Sequence, residues 1–481
     1  MVAFLLYAVF LARFLGAYAG GSDSSGYLNN ARLLAHGRLT APMRLLPGLA
    51  PESLPSYTHV PLGFIPNADH VTLTPTYPMG LPLLIMVGAK IVGWALAPGL
   101  VMGLQALFGA WLMYRVGREA GLESGWAWLG VLLLVTGPLY VFMSVQLMSD
   151  TPATVWSTAA VLWAWQSRKQ VWLALAAGAA VALAVLVRPS DMLVFVPVGL
   201  ALGWSLRRWV FLGLGGLPGA IFQGMINHAA YGKIFKTGYG DVGAVFGLHF
   251  IPGTLVHYAI WLPVVLSPLC LLAFGLPALR RREGMSTAVL AVWGVIFPLF
   301  YVVYACTQDD WWYLRYLLPS FPPLIVSSLL VLRALVAKCK LTPRAAWFAP
   351  AAAVILIYCV GATRHLHAYS SGLGEQVYPE TAAWVRTNLP SNAVVLSMQT
   401  SGALLFYTEL TIVRWDQLSP AEFQRIAAAC AQAARPLFAV LYPFEIDEWH
   451  IFQEHAPGPW VQTHAVRHVT IWRYDAPAAS R

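Results

Sequence analysis

The stretch LMSDTP at residues 147–152 decides the fold. In it one carboxylate, Asp150, stands between two long apolar runs. A second stretch, GSDSSGY at residues 21–27, places Asp23 directly after an apolar run at 1–19. A carboxylate at the end of a membrane helix is energetically costly, so each of the two marks a candidate functional site. If both face one compartment, they indicate a catalytic site at a membrane surface.

The composition is that of a polytopic α-helical membrane protein. The chain is 58% hydrophobic and only 11% charged, whereas a soluble domain carries about 25% charged residues. The net charge of +9 arises from short basic clusters between apolar runs. Such clusters set the orientation of a membrane protein, so the positive charge does not predict binding to nucleic acid. The five cysteines show no spacing typical of a metal site or a disulfide framework.

The order of apolar runs and basic clusters predicts the topology. Two runs separate each basic cluster from the next, so all the clusters lie on one side, which the positive-inside rule makes cytoplasmic. The loops around Asp150 and Arg188, and the tail after Arg364, then face outwards. The runs lie near 1–19, 78–97, 98–117, 125–146, 152–167, 171–187, 192–206, 209–228, 253–279, 286–305, 314–336 and 346–363. The clusters are Arg115/Arg118, Arg168/Lys169, Arg207/Arg208, Arg280/Arg281/Arg282 and Lys338/Lys340/Arg344.

The run 78–97 decides whether the two aspartates share a side. It has two prolines at its start and Pro98 at its end, which favours a re-entrant or juxtamembrane segment. The chain then has about eleven transmembrane helices, and both aspartates face out. If 78–97 crosses the membrane instead, Asp23 and Asp150 lie on opposite sides.

Two domains are expected. Residues 1–364 form the transmembrane module, with a first outer loop at 20–77, and residues 365–481 form a small extracytoplasmic α/β domain. Within the first loop, Tyr27–Leu39 has the pattern of an amphipathic interfacial helix, with Ser22–Ser24 at its N-terminal cap. The tail predicts helices at 379–389 and 419–434 and strands at 393–398, 411–415 and 437–442.

Arginines at the outer ends of spans are the second chemical signal. Arg188 and Arg315 lie where the positive-inside rule does not require a cation. They either snorkel or pair locally with Asp191 or Asp310, or they clamp an anionic group, because guanidinium binds phosphate oxygens bidentately. A carboxylate can accept a proton from an attacking hydroxyl or amine, and cations can stabilise a departing phosphate. A divalent metal, Mg or Mn, could be held by the two aspartates.

Five short motifs follow one another along the chain: GSDSSGY at 21–27, TYPMGLPLL at 76–84, LMSDTP at 147–152, LVRPS at 186–190 and LRYLLP at 314–319. In these motifs and their order the chain resembles the GT-C superfamily of polyprenyl-phosphate-sugar-dependent glycosyltransferases, in particular the protein O-mannosyltransferase and lipid A aminoarabinose transferase group. The likeness covers about residues 1–335. It departs from the family at Met79, where a second proline is frequent.

The resemblance implies an inverting transfer of a sugar from a polyprenyl-phosphate carrier. Asp23 would be the base that activates the acceptor, and Asp150 would orient the acceptor or hold a metal. Arg188 and Arg315 would bind the carrier phosphate. Arg32, His59 and His70 compete for the family's basic residue in the first outer loop. The other candidates for binding the phosphate or the sugar are Tyr27, Tyr77 and Lys233.

The expected protein is therefore a multi-pass enzyme of the inner or plasma membrane, in contact with membrane lipids. Its donor is a polyprenyl-phosphate-linked sugar, and its acceptor is a lipid, a glycan or a protein. The alternative is a transporter or flippase of a lipid-linked sugar or other envelope precursor. A transporter is expected to show internal repeats and charges at the midplane, whereas the charges here lie at the outer ends of the runs.

Overall fold

The computed structural model describes residues 2–240, 242–279, 285–340 and 345–475, and the chain folds into two compact units. The helical unit consists of Met1–Leu15, Pro98–Met225 and Asp241–Leu373. The mixed unit consists of Gly16–Ala97, Ile226–Gly240 and Gly374–Arg481. The basic residues 280–282 and 344, which helped to predict the topology, lie outside the described residues.

The helical unit follows the apolar runs of the sequence, because each run is long enough to satisfy its own backbone hydrogen bonds as a helix. Proline and glycine mark the breaks. Gly137 and Pro138 divide one run into two helices that meet at 62°. The α-helices are Val2–Phe14, Ala97–Glu119, Ser124–Thr136, Pro138–Ser144, Asp150–Gln166, Leu173–Val187, Phe195–Leu202, Leu206–Tyr231, Ile251–Leu266, Met285–Tyr301, Phe321–Lys338 and Ala345–His365. The longer 3₁₀ segments are Pro189–Val194, Pro268–Leu279 and Trp311–Ser320.

Five helices among the described residues are long and apolar enough to cross a membrane, or six if the bent pair counts as one span. A membrane core about 30 Å thick requires about 20 helical residues. The five are Ala97–Glu119, Leu206–Tyr231, Leu248–Leu266, Trp311–Lys338 and Ala346–His365. The chain is thus a mostly helical membrane protein, and the number of about eleven spans stays a prediction.

Small side chains bring the helices of this unit close together. The backbone of Gly178 approaches helix Leu206–Tyr231 so closely that a Cβ atom on Gly178 would lie 2.0 Å from the carbonyl oxygen of Leu212. A Cβ atom on Gly215 would lie 1.9 Å from the carbonyl oxygen of Leu175. Close backbone approach is the usual mode of helix packing in membranes, where burial against lipid gives little driving force. Large side chains such as Trp293 and Phe297 fill the core elsewhere.

The mixed unit contains a five-stranded sheet. Its strands lie in the order Thr411–Val413, Val394–Leu396, Leu437–Leu441, Val469–Tyr474 and Trp460–Val466. The first three are parallel and are the three that the sequence predicts, whereas the last two form an antiparallel hairpin that it did not predict. Helices Val377–Asn388 and Pro420–Gln432 occupy the predicted places, and Ser419 with Glu422 forms a capping box at the start of the second.

The first loop folds in the same unit. It contains the Asp23 helix (Ser22–Ala35), the proline-flanked helix (Gly80–Val92), and a three-stranded sheet of Ala41–Pro42, Thr72–Pro75 and Phe64–Pro66. The proline-flanked helix has 13 residues and is about 20 Å long at 1.5 Å per residue, which is shorter than a membrane core.

The prediction for the Asp23 helix was wrong in two respects. The helix begins at Ser22, so Ser22–Ser24 form its first turn and Gly21 is the cap residue. Half of the face expected to be polar, which consists of Asn29, Asn30, Arg32 and His36, is buried. The side-chain amide of Asn29 donates to the Gly402 carbonyl at 3.0 Å and that of Asn30 lies 3.2 Å from the sulfur of Met79, whereas Arg32 and His36 are exposed. The helix is therefore a packed element of the mixed unit, with the C-terminal region on one side of it.

Candidate functional site

In the helical unit, Asp150 and Arg188 form a buried ion pair. Asp150 is the first residue of its helix, where the helix dipole favours a negative charge, and its side chain is fully buried. Arg188 follows the end of helix Leu173–Val187. Its Nη2 lies 2.5 Å from Oδ1 of Asp150 and 3.4 Å from the Ser149 hydroxyl. The Arg188 side chain thus pairs with Asp150, while Asp191 bonds Arg188 only through its backbone N–H, which donates to the Arg188 carbonyl at 2.9 Å.

Further polar groups surround this pair. The buried carboxylate of Asp191 accepts a hydrogen bond from Ser157 at 2.6 Å, and the Tyr301 hydroxyl donates to Ser190 at 2.7 Å. Among the described residues, three buried atoms here have no hydrogen-bond partner: Oδ2 of Asp150, Nη1 of Arg188 and Oδ1 of Asp191. Unsatisfied buried polar atoms are costly in a folded protein, so such a group indicates a place where a ligand or water completes the bonding.

The two arginines predicted from the sequence both lie near one aromatic ring. The guanidinium carbon of Arg188 is 5.4 Å from the centre of the Tyr316 ring, and that of Arg315 is 5.2 Å from it. Arg315 also lies 5.7 Å from the ring of Tyr313. Contacts of this kind hold a guanidinium plane without neutralising its charge. The helical unit therefore brings together Asp150, Arg188 and Arg315.

In the mixed unit, Asp23 lies half-buried in the first turn of its helix, beside Tyr77. The Tyr77 hydroxyl lies 2.7 Å from the Ser22 hydroxyl and also hydrogen-bonds the Asp23 carboxylate. Burial, with the charge of Asp23, raises the pKa of Tyr77 well above its ordinary value, so Tyr77 stays a hydrogen-bond donor. The Tyr27 ring packs 5.1 Å from the Tyr77 ring. The unit thus brings Asp23, Tyr27 and Tyr77 together.

Glycines allow this arrangement. A Cβ atom on Gly26 would lie 2.4 Å from the Tyr77 ring, and Gly63, at a φ of +92°, would place its own Cβ 2.7 Å from the Cα of Gly26. Only glycine permits both the close approach and the left-handed backbone at low cost. The helix backbone itself is therefore one wall against which Tyr77 is positioned.

Glu375 is a member of this cluster that the sequence did not reveal. The Ser24 hydroxyl donates to its Oε2 at 2.9 Å, and a Cβ atom on Gly20 would collide with its carboxyl group. Burial, with a smaller contribution from the charge of Asp23, raises the pKa of Glu375 to about 7. Hydrogen bonds from Ser24 and from the backbone of Gly21 partly offset this rise. Its sequence context, SGLGEQ at 371–376, is that of any polar connection, so no local signal marked it.

The other predicted binding residues lie elsewhere in the mixed unit. His59 is buried with Nδ1 3.3 Å from the Ile412 carbonyl oxygen, and burial lowers its pKa, so it is neutral. Arg32 donates to the Phe406 carbonyl at 2.5 Å and stacks on the ring of that residue. His70 lies in a turn with a φ of 56°, and Lys233 is exposed. Their roles as ligands of the phosphate or sugar stay predictions.

The described residues contain no group of three or more His, Cys, Asp or Glu placed to hold a metal ion. Asp150 pairs with Arg188, and Asp23 bonds Tyr77. A Mg or Mn ion held by the two aspartates stays a prediction, and the proposed reaction has no step that uses it.

The Asp150–Arg188 pair predicts a stability effect. Replacing Arg188→Leu leaves a buried, unpaired carboxylate, which is expected to cost about 3–5 kcal/mol. The double variant Arg188→Leu with Asp150→Leu should recover most of this loss. The measurement is thermal unfolding in detergent. Arg473→Leu, which breaks the exposed pair with Asp475, is the control and should cost about 1 kcal/mol or less. A double variant as unstable as Arg188→Leu would contradict the pairing.

Glu375 predicts a pH dependence of stability. Its pKa is 4.5 in the ordinary state and about 7 in the fold, so between these values the native carboxyl holds a proton that the unfolded chain releases. Its contribution to stability is complete below pH 4.5 and is lost as the pH rises through about 7. Unfolding followed across this range should therefore show a decline that Glu375→Gln reduces. The exposed Glu454→Gln is the control, and an unchanged slope in Glu375→Gln would rule the assignment out.

Comparison with known proteins shows what the chain is similar to. A family model described as dolichyl-phosphate-mannose-protein mannosyltransferase matches residues 101–231, which include Asp150 and Arg188. No curated protein matches the chain significantly by sequence.

Solved structures match the fold over nearly the whole chain. ArnT from Cupriavidus metallidurans bound to undecaprenyl phosphate matches with a TM-score of 0.57 at 14% identity, over 100% of this chain and 99% of ArnT. The Archaeoglobus fulgidus oligosaccharyltransferase tethered to an acceptor peptide matches with a TM-score of 0.56 at 11% identity, over 99% and 74% of the two chains. The mycobacterial arabinofuranosyltransferase AftD gives 0.55 at 14% identity, over 99% and 40%. The fold and the family match together confirm the resemblance to the GT-C glycosyltransferases that the sequence predicted.

Proposed function

We propose that the chain is an integral membrane glycosyltransferase that moves a sugar from a polyprenyl-phosphate carrier to an acceptor on the extracytoplasmic face of the cell membrane, with inversion. The observation that carries the proposal is the buried guanidinium of Arg188, whose Nη1 has no hydrogen-bond partner among the described residues. It occurs in a fold that is similar to ArnT bound to undecaprenyl phosphate and to the archaeal oligosaccharyltransferase bound to dolichol phosphate.

The proposed phosphate ligands are Arg188 and Arg315. Both guanidinium groups are held over Tyr316, and the free Nη1 donor of Arg188 is desolvated. A guanidinium in such surroundings binds a phosphate oxygen strongly, because few water molecules compete for it. As the sugar leaves, the phosphate gains negative charge, and a fixed cation stabilises that charge at little cost in reorganisation.

The proposed base is Asp23. Its carboxylate is half-exposed, so an acceptor can reach it, and the Tyr77 hydroxyl orients it through a hydrogen bond. A base must lie within hydrogen-bonding reach of the proton that it abstracts.

The reaction is a single displacement. The acceptor hydroxyl oxygen attacks the anomeric carbon and forms the new glycosidic bond. Its proton passes to the Asp23 carboxylate. The bond between the anomeric carbon and the phosphate oxygen breaks, and the electron pair leaves with the polyprenyl phosphate. Attack from the face opposite the phosphate inverts the anomeric centre.

A large apolar groove in the helical unit suits the carrier chain. Its volume is about 960 Å³, and its lining is mostly aromatic and aliphatic, with Tyr7, Thr136, Thr363, Arg364 and Tyr369 as polar members. Burying isoprenoid surface in such a groove contributes roughly 25 cal/mol per Å² of apolar area. Residues that represent the apolar lining are Phe4, Phe10, Trp128, Leu132, Phe348 and Ala352.

The finer parts of the proposal rest on the topology predicted from the sequence. They are the inner or plasma membrane location, the outward orientation of residues 20–77 and 365–481, and an acceptor that is a lipid, glycan or protein. The alternative of a transporter or flippase is less favoured, because the fold and the family match are those of sugar transferases.

Asp23→Asn is expected to abolish sugar transfer, with a loss of at least about 100-fold, because the amide cannot accept the proton. Expression and thermal unfolding should stay close to wild type. The measurement is transfer of radiolabelled sugar from a polyprenyl-phosphate donor in membranes. Asp69→Asn, an exposed carboxylate of the same loop that bonds Val71 and Thr72, is the control and should retain activity. Full activity of Asp23→Asn would contradict the assignment of Asp23 as the base.

Ala352→Trp is expected to fill the groove and to reduce the efficiency of transfer from a full-length carrier by about tenfold, a loss of about 1.4 kcal/mol in binding. A donor with a short isoprenoid should be affected less, since it leaves part of the groove empty. Gly361→Trp, on the same helix but facing open space, is the matched control. Equal losses for long and short donors would argue against the groove as the carrier site.

A further inference from the structure

A second, smaller cleft lies in the mixed unit, beside the Asp23 helix. Its volume is about 330 Å³, at the small end of the roughly 300–1,000 Å³ typical of ligand sites. Ser22 and Tyr77, the two hydroxyls that bond each other at 2.7 Å, lie on its wall. The remaining lining residues are Tyr57, Leu62, Gly63, Phe64, Thr76, Arg414 and Gln417.

The one cation of this lining is already neutralised. Arg414 donates through Nε and Nη2 to the two carboxylate oxygens of Asp416, at 2.7 and 2.5 Å. Burial would raise the pKa of Asp416, but the hydrogen bonds and charge of Arg414 outweigh it and hold the pKa below its ordinary value. The pair is therefore fully ionised and carries no net charge, so the cleft offers no free cation to an anionic ligand.

Beside its hydroxyls, the cleft has two planar polar groups, Arg414 and Gln417, which are held by hydrogen bonds. Gln417 donates to Oδ2 of Asp416 at 2.8 Å, and the Arg414 backbone N–H donates to the Thr58 carbonyl at 2.8 Å. Each planar amide or guanidinium keeps further N–H groups that can point outwards. Groups held in this way can bind vicinal hydroxyls without losing much side-chain entropy on binding.

Aromatic surface completes the cleft. Tyr57 is exposed, with 40% of its surface accessible, and the rings of Phe64 and Tyr77 also line the space. Sugars present C–H groups on one face and hydroxyls at their edges, so a site with rings and rigid planar donors but no net charge matches a neutral sugar. A peptide would instead require unpaired backbone partners or a deep side-chain pocket.

We propose that this cleft binds a neutral sugar unit of the acceptor, so that the acceptor is a glycan. The inference rests on the proposed function, because the same Tyr77 hydroxyl that lines the cleft bonds the Asp23 carboxylate. A hydroxyl of the bound sugar thereby lies beside the group that takes its proton. Tyr57 and Gln417 are the binding residues on which specificity depends.

The test measures, by saturation-transfer NMR, the binding of small probes to the full-length protein in detergent, without donor. The probes are the neutral methyl α-D-mannopyranoside, the anionic mannose 6-phosphate, and a short peptide rich in serine and threonine. The neutral hexoside should bind at millimolar concentration and better than the other two. Tyr57→Ala and Gln417→Ala should each weaken it by about tenfold, the loss of one ring contact or one hydrogen bond. Tyr57→Phe, which keeps the ring, should bind nearly as well as wild type.

Phe444→Ala and Gln424→Ala are matched controls, since both side chains are exposed in the same unit and do not line the cleft. Three outcomes would each overturn the proposal. The controls could weaken hexoside binding as much as Tyr57→Ala does, the phosphate or the peptide could bind more tightly than the hexoside, or the hexoside could fail to bind. Asp23→Asn separates this inference from the proposed function: it should abolish transfer but leave hexoside binding intact.

Discussion

The buried ion pair between Asp150 and Arg188 is the constraint on which the helical unit depends. Two charges in an apolar interior are costly, and their attraction offsets that cost only when the geometry is good. Here the carboxylate lies at a helix N-terminus and the guanidinium lies over Tyr316, so both charges are stabilised in addition to pairing. The pair fixes the ends of two packed helices and leaves one guanidinium donor without a partner. The Arg188 side chain therefore both constrains the helical unit and forms a candidate anion site.

The mixed unit holds the half-exposed carboxylate of Asp23 in one place. It does so by close approach of backbone segments more than by pairing of charges. Gly26 and Gly63 bring the Tyr77 ring against the Asp23 helix, and Gly20 makes room for the buried Glu375. Because Glu375 comes from the segment that precedes the C-terminal sheet, the first loop and the C-terminal region shape the surroundings of Asp23 together. This gives the C-terminal region a role in positioning that its sequence alone does not suggest.

The sequence predicted the elements whose signals are local. Apolar runs became helices, and the three parallel strands lie within their predicted ranges. It failed where packing overrides pattern. Asn29 and Asn30 look solvent-facing in a helical pattern, yet both are buried because partners from elsewhere in the chain satisfy their amides. The hairpin at 460–474 was missed because its first strand is mostly exposed and lacks a clear alternation. Helix Leu206–Tyr231 extends beyond its apolar run at 209–228, whereas the α-helix in the run 253–279 ends at Leu266, before Pro268.

By itself the sequence determined the class of protein and singled out the two aspartates and the two arginines at the ends of apolar runs, because hydropathy and isolated charges in apolar surroundings are properties of the chain. Only the tertiary structure decided which charges meet. It paired Arg188 with Asp150 and not with the nearer Asp191, placed Tyr77 on Asp23, and added Glu375 and the Arg414–Asp416 pair. Most of these contacts join residues that are 38 to 351 positions apart in the sequence, and the others depend on burial. No local pattern encodes such contacts, because only packing brings the two side chains together.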